Sequence, residues 1–516
     1  MTSSTSATPG ADRRWAMAVV AFGVFVAADD LMVVATMLRP MIDDFELVVP
    51  DDLGRAAWIV NVYLVAYIAV MPIAGRLSDV VGRRAVFCGS LAVFAVGSVV
   101  VPAADTLGLL LVGRALTAIG GGALVPLAFA VAGDLYQGSA RARALGALGA
   151  VETIGWVWGP LYGAVLVRFL SWRWQFHLNL PLAAIGIVAG WRALTPARRD
   201  GRSIDWLGSG LLTTALAAFG VALLSQARIQ SVTGLDELTG GGDSGPDARI
   251  LAVVAVVALA LFLWNERRTS APLLGTEVTG QGEVRAALAV NALVGAGLVV
   301  ALINVPLFVN IVEGDVAGSA VRAGWLLTAL TVAMAATSYA GGVAAGRAGN
   351  RIPVLVGLVV GAMGMAAMWA MWSPDTGPVL MAAQLAVVGA GIGLVLAPTS
   401  ATVVDAAPEH HRGAAAGLVI LARLIGFSVG LAGLTTWSLR RYDQLRSEAT
   451  LPSLSDPDYA TLARRITVDI STSALAETFL GAALALLAAA VIALAIADRR
   501  HRQPAADASP AEDLLA

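Results

Sequence analysis

No lysine occurs in this 516-residue chain, cysteine occurs once, histidine occurs four times, and charged side chains make up only 14% of it. Without lysine there is no GxxxxGK[ST] phosphate loop, which excludes drive by a nucleotide through that motif. Cys88, being single, cannot close an internal disulfide, lacks a nearby partner for a metal site and reads as an inert helix residue. His177, His410, His411 and His501 are scattered, so a membrane-embedded transferase, the rival from another class, lacks the clustered groups its chemistry would need. A net charge of −2 argues against a nucleic-acid partner. Neither a cofactor nor a metal is expected.

What the chain has in abundance is apolar length. With 58% hydrophobic residues and a mean hydropathy of +0.77, there is too little polar surface to cover a soluble globule. Runs such as 16–28, 107–132 and 474–497 reach or approach the roughly 20 residues that a helix needs to cross a bilayer. Fourteen such spans are predicted, starting near Trp15, Ala56, Arg84, Leu107, Ala142, Phe176, Ile204, Ile250, Val284, Ala323, Ile352, Val379, Gly413 and Ala474. The first follows a polar tail ending in Arg13 and Arg14, yet it continues past Asp30 without a small-residue cleavage site and reads as a retained helix. Arginines cluster in alternate connections, among them Arg76/Arg83/Arg84, Arg141/Arg143, Arg198/Arg199, Arg267/Arg268, Arg347/Arg351 and Arg412. The positive-inside rule places these connections and both termini in the cytoplasm of a bacterial cell membrane. The main exception is a long connection holding Arg440, Arg441, Arg446, Arg464 and Arg465, which the same count places outside. The longest non-membrane segment, about thirty residues by this span reading, is too short for the soluble domain of a receptor or sensor.

A repeat is legible at an offset of 271 residues. It carries Gly75 to Gly346, Arg76 to Arg347, Gly120 to Gly391, Asp134 to Asp405, Arg141 to Arg412, Gly146 to Gly417, Gly155 to Gly426 and Gly159 to Gly430. Glycine is abundant, so the charged matches at helix ends carry the inference. The predicted fold is an all-α polytopic membrane protein of two six-helix halves with an inserted two-helix linker. Its expected parts are a disordered cytoplasmic tail over 1–14, an N-terminal half over 15–198, the linker over 199–272, a C-terminal half over 273–498 with a long extracytoplasmic loop at about 438–472, and a cytoplasmic tail over 499–516. Parallel halves around a shared site are the architecture of a carrier that rocks between two states.

Three segments carry a resemblance. GRLSDVVGRR, Gly75 to Arg84, places Gly75 and Gly82 where helix ends meet a tight turn, and Asp79 where it can pair with arginine or cap a neighbouring helix. It resembles the cytoplasmic loop motif of the major facilitator superfamily, which implies that Gly75, Asp79, Gly82 and Arg83 control switching between inward-open and outward-open states. GWVWGPLYGA sets Gly155, Gly159 and Gly163 on one helix face beside Pro160, a packing seam that is similar to the motif of exporting antiporters. WRWQFHLNLP, Trp172 to Pro181, resembles the entry to the sixth helix of the fourteen-helix drug:proton antiporters, with Trp172 and Trp174 expected as interfacial anchors. Two departures stand out. Thr117 and Ala118 replace the usual Gln and Gly near Arg114, and DLMVVATMLRP carries Arg39 where proline is usual. The second variant is similar to actinobacterial exporters linked with drugs and with lipids such as triacylglycerides.

A charge at bilayer depth costs at least about 2.5–3.5 kcal/mol, so charged residues inside spans are functional candidates. Asp30, Arg114, Glu152 and Arg423 are four such residues, and Glu152 and Arg423 stand at the same register of the repeat with opposite signs. A pair meeting across the axis in one state and separating in the other would couple protonation to opening. Asp29 points about 100° away from Asp30 on a helix and is expected to be a secondary contact. The expected function is proton-coupled efflux of hydrophobic or amphiphilic compounds, multidrug-type, with export of lipids such as triacylglycerides as the alternative. Its expected partners are that substrate, protons and the bilayer, with an extracytoplasmic accessory protein as a further candidate.

Overall fold

The computed structural model of the chain describes residues 9–47, 53–195, 205–226, 247–269, 272, 276–313, 316–408, 411–449 and 458–497, and all its regular elements are helical. In chain order these are α1 (Pro9–Asp44), α2 (Leu53–Val81), α3 (Arg83–Val100), α4 (Leu107–Leu135), α5 (Gly138–Phe169), α6 (Arg173–Ala193), α7 (Trp206–Gln226) and α8 (Ala248–Glu266). They are followed by α9 (Thr276–Thr279), α10 (Gly282–Glu313), α11 (Val316–Ala348), α12 (Arg351–Met371), α13 (Pro378–Ala406), α14 (Arg412–Glu448) and α15 (Tyr459–Ala493). Helices are what an apolar chain of this kind must form, because in hydrocarbon every backbone N–H and C=O has to find its partner within the segment. Local chemistry sets the ends. The Thr106 side chain accepts from the Leu109 amide at the start of α4, and Pro378 opens α13, where its missing donor is not needed. The turns from α2 to α3 and from α11 to α12 pass through Gly82 (φ 104) and Gly349 (φ 80), in a region that favours glycine.

Among the described residues, eleven helices are long and apolar enough to cross a membrane. The other three long ones, α5, α6 and α7, stand where the remaining expected spans would be and do not meet that measure. Arg141, Arg143, Glu152 and Arg168 interrupt α5, and the described apolar stretch of α7 is limited to Trp206–Ala222. One expectation is corrected. Most of the connection read as a loop at about 438–472 is helical, since α14 runs on to Glu448 and α15 begins at Tyr459, with Arg441 paired to Glu477 at 2.7 Å. The 37 residues of α14 extend about 55 Å at 1.5 Å per residue, well beyond a hydrocarbon core of about 30 Å. Its polar end lacks Gly and Pro, so nothing local stops the helix. The expected tail residues 1–8 and 498–516 lie outside the described residues.

Helices α1 to α6 pack as one group and α10 to α15 as another, joined chiefly by α2 against α14 and α5 against α11. Helix α7 pairs with α8 and also lies on α2 and α14, where Leu212, Leu216 and Phe262 pack with Ile68, Leu418 and Leu421. The repeat is present in space, with one correction to its register. A Cβ at Gly120 would meet Ser90 and Phe94, and one at Gly391 would meet Gly357 and Gly361. The α4 and α13 glycines are thus 271 apart while their α3 and α12 neighbours are 267 apart. Likewise Gly155 packs on Phe25 and Gly426 on Ala292, so α1 and α10 also correspond at 267. The C-terminal half therefore gains four residues, about one helical turn, between α12 and α13. The sequence matches of Gly75 with Gly346 and Arg76 with Arg347 are one turn out of register, and the spatial counterpart of Gly75 is Gly342, which meets Ala142 as Gly75 meets Gly413.

These close approaches make a stability prediction. On α14 a Cβ at Gly426 would fall on the Ala292 carbonyl, whereas one at Gly433 would meet nothing within 4 Å. Gly426→Ala is expected to lower the thermal unfolding midpoint of the detergent-purified protein, by overpacking of about 1–3 kcal/mol. Gly433→Ala should leave the midpoint unchanged or raise it, by up to about 1 kcal/mol. Equal midpoints for the two variants would contradict the packing.

Candidate functional site

At one end of the bundle the two halves are held by charge. Asp79, its side chain 1% exposed on the last turn of α2, accepts hydrogen bonds from the Gly413 and Ala414 amides at 3.1 and 3.3 Å. These amides belong to the first turn of α14, which has no acceptors of its own for them, and the residue before that helix, His411, provides no side-chain cap. Asp79 thus caps a helix of the opposite half and meets the positive end of its dipole. Because Gly82 reverses the chain within one residue, Arg83 returns beside Asp79 at 2.7 Å and reaches Asp134 at 3.0 Å. Gly75 lies one turn before Asp79, where α2 and α14 touch backbone to backbone at Gly413.

The remaining latch pairs obey the pseudo-twofold repeat. Asp134 and Asp405 are equivalent, as are Arg141 and Arg412, and each arginine binds the aspartate of the other half. Arg412 lies 3.4 Å from Asp134, and Arg141 is paired with Asp405. Such reciprocal contacts are the signature of a twofold interface.

Deeper in the bundle, Glu152 of α5 and Arg423 of α14 meet across the halves at 3.4 Å, both almost fully buried. The contact joins the two residues that the repeat places in register. Between the latch and this pair the halves pack closely. The Ser338 hydroxyl donates to the Gly146 carbonyl at 3.1 Å, Gly342 abuts Ala142, and Gly417 abuts Met71. Beyond the pair the glycines turn away from the axis. Gly155 and Gly159 pack on α1 at Phe25, Ala28, Asp29 and Val33, while Gly426 and Gly430 pack on α10 at Ala292 and Ala296. Gly163 is buried farther along the same face of α5, and the helix continues through Pro160. The Trp156 side chain, one turn beyond Glu152, still reaches the core of the other half.

A third cluster lies wholly within the N-terminal half. Asp30 of α1 is ion-paired with Arg114 of α4 at 3.2 Å, both nearly inaccessible. The Arg114 guanidinium also stacks 4.3 Å from the Tyr63 ring centroid. Helix α6 supplies two amides: Asn179 donates to Asp30 at 3.1 Å, and Gln175 donates to Asp29 at 3.1 Å. Thr117, in place of the family's Gln, donates to the Arg114 carbonyl at 3.0 Å, so the amides beside the acid come from another helix. Counterparts in the second half are Gly297 for Asp30, Leu330 for Tyr63 and Leu385 for Arg114, at the corrected register. The charged cluster therefore has no twin. Gln175 and Asn179 are not assigned a role by the sequence motifs. Their signal was a spacing of four, which puts two amides on one helix face.

One expected anchor is corrected. Trp172 is buried, donates to Asp44 at 2.7 Å and packs against Phe45 and Phe176, whereas Trp174 is exposed as expected. A Trp beside a charged partner is drawn inward once its N–H is satisfied there. The Arg39 side chain lies outside what is described.

The pair between the halves generates a prediction about coupling. Removing one partner of a buried pair strands the other, at a cost of about 3–5 kcal/mol. Glu152→Gln and Arg423→Ala should each destabilise the purified protein in this conformation, and the swap of Glu152→Arg with Arg423→Glu should recover part of the loss. Unfolding midpoints through a double-mutant cycle measure this. Strict additivity of the two single losses, with no recovery by the swap, would mean that the contact carries no energy.

Comparisons with known proteins agree with this geometry. The family model of the Major Facilitator Superfamily matches residues 20–431. A triacylglyceride transporter of Mycolicibacterium smegmatis is 33% identical over 514 residues, covering 95% of this chain and 88% of the relative. A triacylglyceride transporter of Mycolicibacterium hassiacum is 34% identical over 519 residues, covering 96% and 94%, and a probable one of Mycobacterium leprae is 31% identical over 520 residues, covering 95% and 97%. Among solved structures, the fold is similar to that of the human organic anion transporter MFSD10 (TM-score 0.61, 15% identity, covering 93% of this chain and 99% of that one). It is also similar to that of the proton:xylose symporter XylE (TM-score 0.60, 12% identity, covering 92% and 95%). The fold, the paired halves and the sequence match converge: this chain is a multi-pass membrane transporter and belongs to the Major Facilitator Superfamily.

Proposed function

We propose that the protein exports hydrophobic molecules, with neutral lipids of the triacylglyceride class as the favoured substrates, in exchange for protons. The observation that carries this reading is the Glu152–Arg423 pair, a buried contact between the halves at the depth where their close backbone packing ends. An acid whose one ionic partner among the described residues sits on the opposite half couples two events. Protonation neutralises Glu152, the attraction to Arg423 falls, and the halves are freer to separate. Asp30 on Arg114 offers a second acid within one half. The substrate class rests on the relatives named triacylglyceride transporters. It is consistent with the second half, where Gly297 and the buried Leu330 and Leu385 stand at the positions of the charged cluster.

The end held by Asp79, Arg83, Asp134 and Arg412 is assigned to the cytoplasm, together with both chain termini, from the arginine count. The conformation described is then closed toward the cytoplasm, and a cycle requires Asp79 to leave the amides of α14. The multidrug reading is kept as the second possibility, because the Trp172 to Pro181 segment is similar to that of drug:proton antiporters.

The decisive experiment places the purified protein in proteoliposomes and follows a fluorescent triacylglyceride and a dye-like cation, each with and without a pH gradient. Gradient-dependent movement of the lipid supports the favoured reading, movement of the cation alone supports the multidrug one, and movement of neither overturns both. In the same assay Asp79→Asn is expected to reduce transport at least about tenfold, since losing charge-assisted hydrogen bonds worth about 1.5–3 kcal/mol unbalances the two states. Wild-type transport by a well-inserted Asp79→Asn protein would remove the latch from the mechanism.

A further inference from the structure

Beyond Asp79 of the latch, three carboxylates among the described residues are buried between the spanning helices in the N-terminal half or at its boundary, and they are not equivalent. Glu152 has Arg423, and Asp30 has Arg114. Asp29 is 6% exposed, and among the described residues no cation lies within ion-pair distance of it. Its Oδ2 receives one hydrogen bond, from the neutral Gln175 amide at 3.1 Å, and its Oδ1 has no partner. Consecutive residues on a helix diverge by about 100°, so Asp30 faces α4 while its neighbour is turned toward α5 and α6. There Oδ1 stands over the missing side chain of Gly159, where a Cβ would come within 3.4 Å of it.

The groups that face Asp29 are few. On its own helix there is Asp30, whose charge is already matched by Arg114. Helix α5 brings the Tyr162 hydroxyl within electrostatic range, and α6 brings Gln175, which is hydrogen-bonded in turn to Asn179 at 3.3 Å. Of the two neighbouring acids only Asp30 has a guanidinium beside it, and that guanidinium is committed to Asp30. A second negative charge here would be buried, unpaired and next to a like charge, which is the most expensive arrangement available to a carboxylate. A proton on Oδ1 removes the charge and needs no further space.

We infer that Asp29 is an additional proton-binding residue of the transport cycle and is the acid that holds a proton in the conformation closed at the Asp79 latch, while Asp30 stays ionised on Arg114. The inference rests on the proton-coupled reading for its role in transport, but its occupancy can be tested without transport. No bond other than O–H is made or broken: the proton arrives from water on the side open in this state and leaves to water on the other side when the halves exchange access.

The test is infrared spectroscopy of the purified full-length protein, following the C=O stretch of a protonated buried carboxyl and its shift in heavy water. The wild-type protein should show this band, and Asp29→Asn should lose it. Gln175→Leu should keep the band but move its frequency, because it removes the one hydrogen bond to that carboxyl. This variant also serves if Asp29→Asn fails to fold, and a merely structural role for Gln175 would not shift the band. Absence of the band in the wild type, its survival in Asp29→Asn, or an unmoved band in Gln175→Leu would each overturn the inference. A proteoliposome assay with the fluorescent triacylglyceride separates the two levels. Wild-type protein that shows the band but no gradient-dependent transport keeps the protonated acid and discards the antiport reading.

Discussion

A charge placed between helices in lipid must be answered by another charge or a dipole, and most of the arrangement follows from how this chain meets that demand. A bare ion in such a place is costly, while a matched one ties together the elements that carry the partners. Asp30 therefore binds α1 to α4, and Glu152 binds α5 to α14. Asp79 answers a dipole as well as the Arg83 charge, because the first amides of α14 have no carbonyls to bind. Glycine makes these contacts attainable. Gly75 on Gly413 and Gly155 on α1 bring backbones close enough for short side chains to reach across.

The molecule is symmetric in the paired arginines and aspartates of its latch and asymmetric in its buried acids. At the latch each arginine of the pairs Arg141–Asp405 and Arg412–Asp134 belongs to one half and each aspartate to the other, so the two pairs are equivalent and both tie the halves together. Asp79 adds a contact that the second half cannot copy, since its spatial counterpart is Gly346. The same contrast holds deeper down. The acids at 29 and 30, Tyr63 and Arg114 have Ala296, Gly297, Leu330 and Leu385 as counterparts. In the proposed cycle this divides the labour, with these buried acids confined to the first half and packed apolar residues at the same positions of the second.

The sequence by itself determined the membrane-spanning character, because apolar length is a one-dimensional property that lipid reads directly. It also determined the repeat in α4, α5, α13 and α14, where charged residues keep one spacing, and hence the meeting of Glu152 with Arg423. Three features were decided only by the tertiary structure. The register of α1 to α3 against α10 to α12 slips by four residues, a full turn that keeps the same helix face outward and so leaves little trace in composition. The long connection near 438–472 is mostly helical, because charge argues for water but not against a helix. The pairing at Asp30 was open as well. Whether Arg114 served it or its neighbour, and which acid received Gln175 and Asn179, depended on how α4 and α6 rotate about their axes. That rotation is set by packing against glycine and aromatic surfaces distant in sequence, and it left Asp29 as the buried acid without a cation.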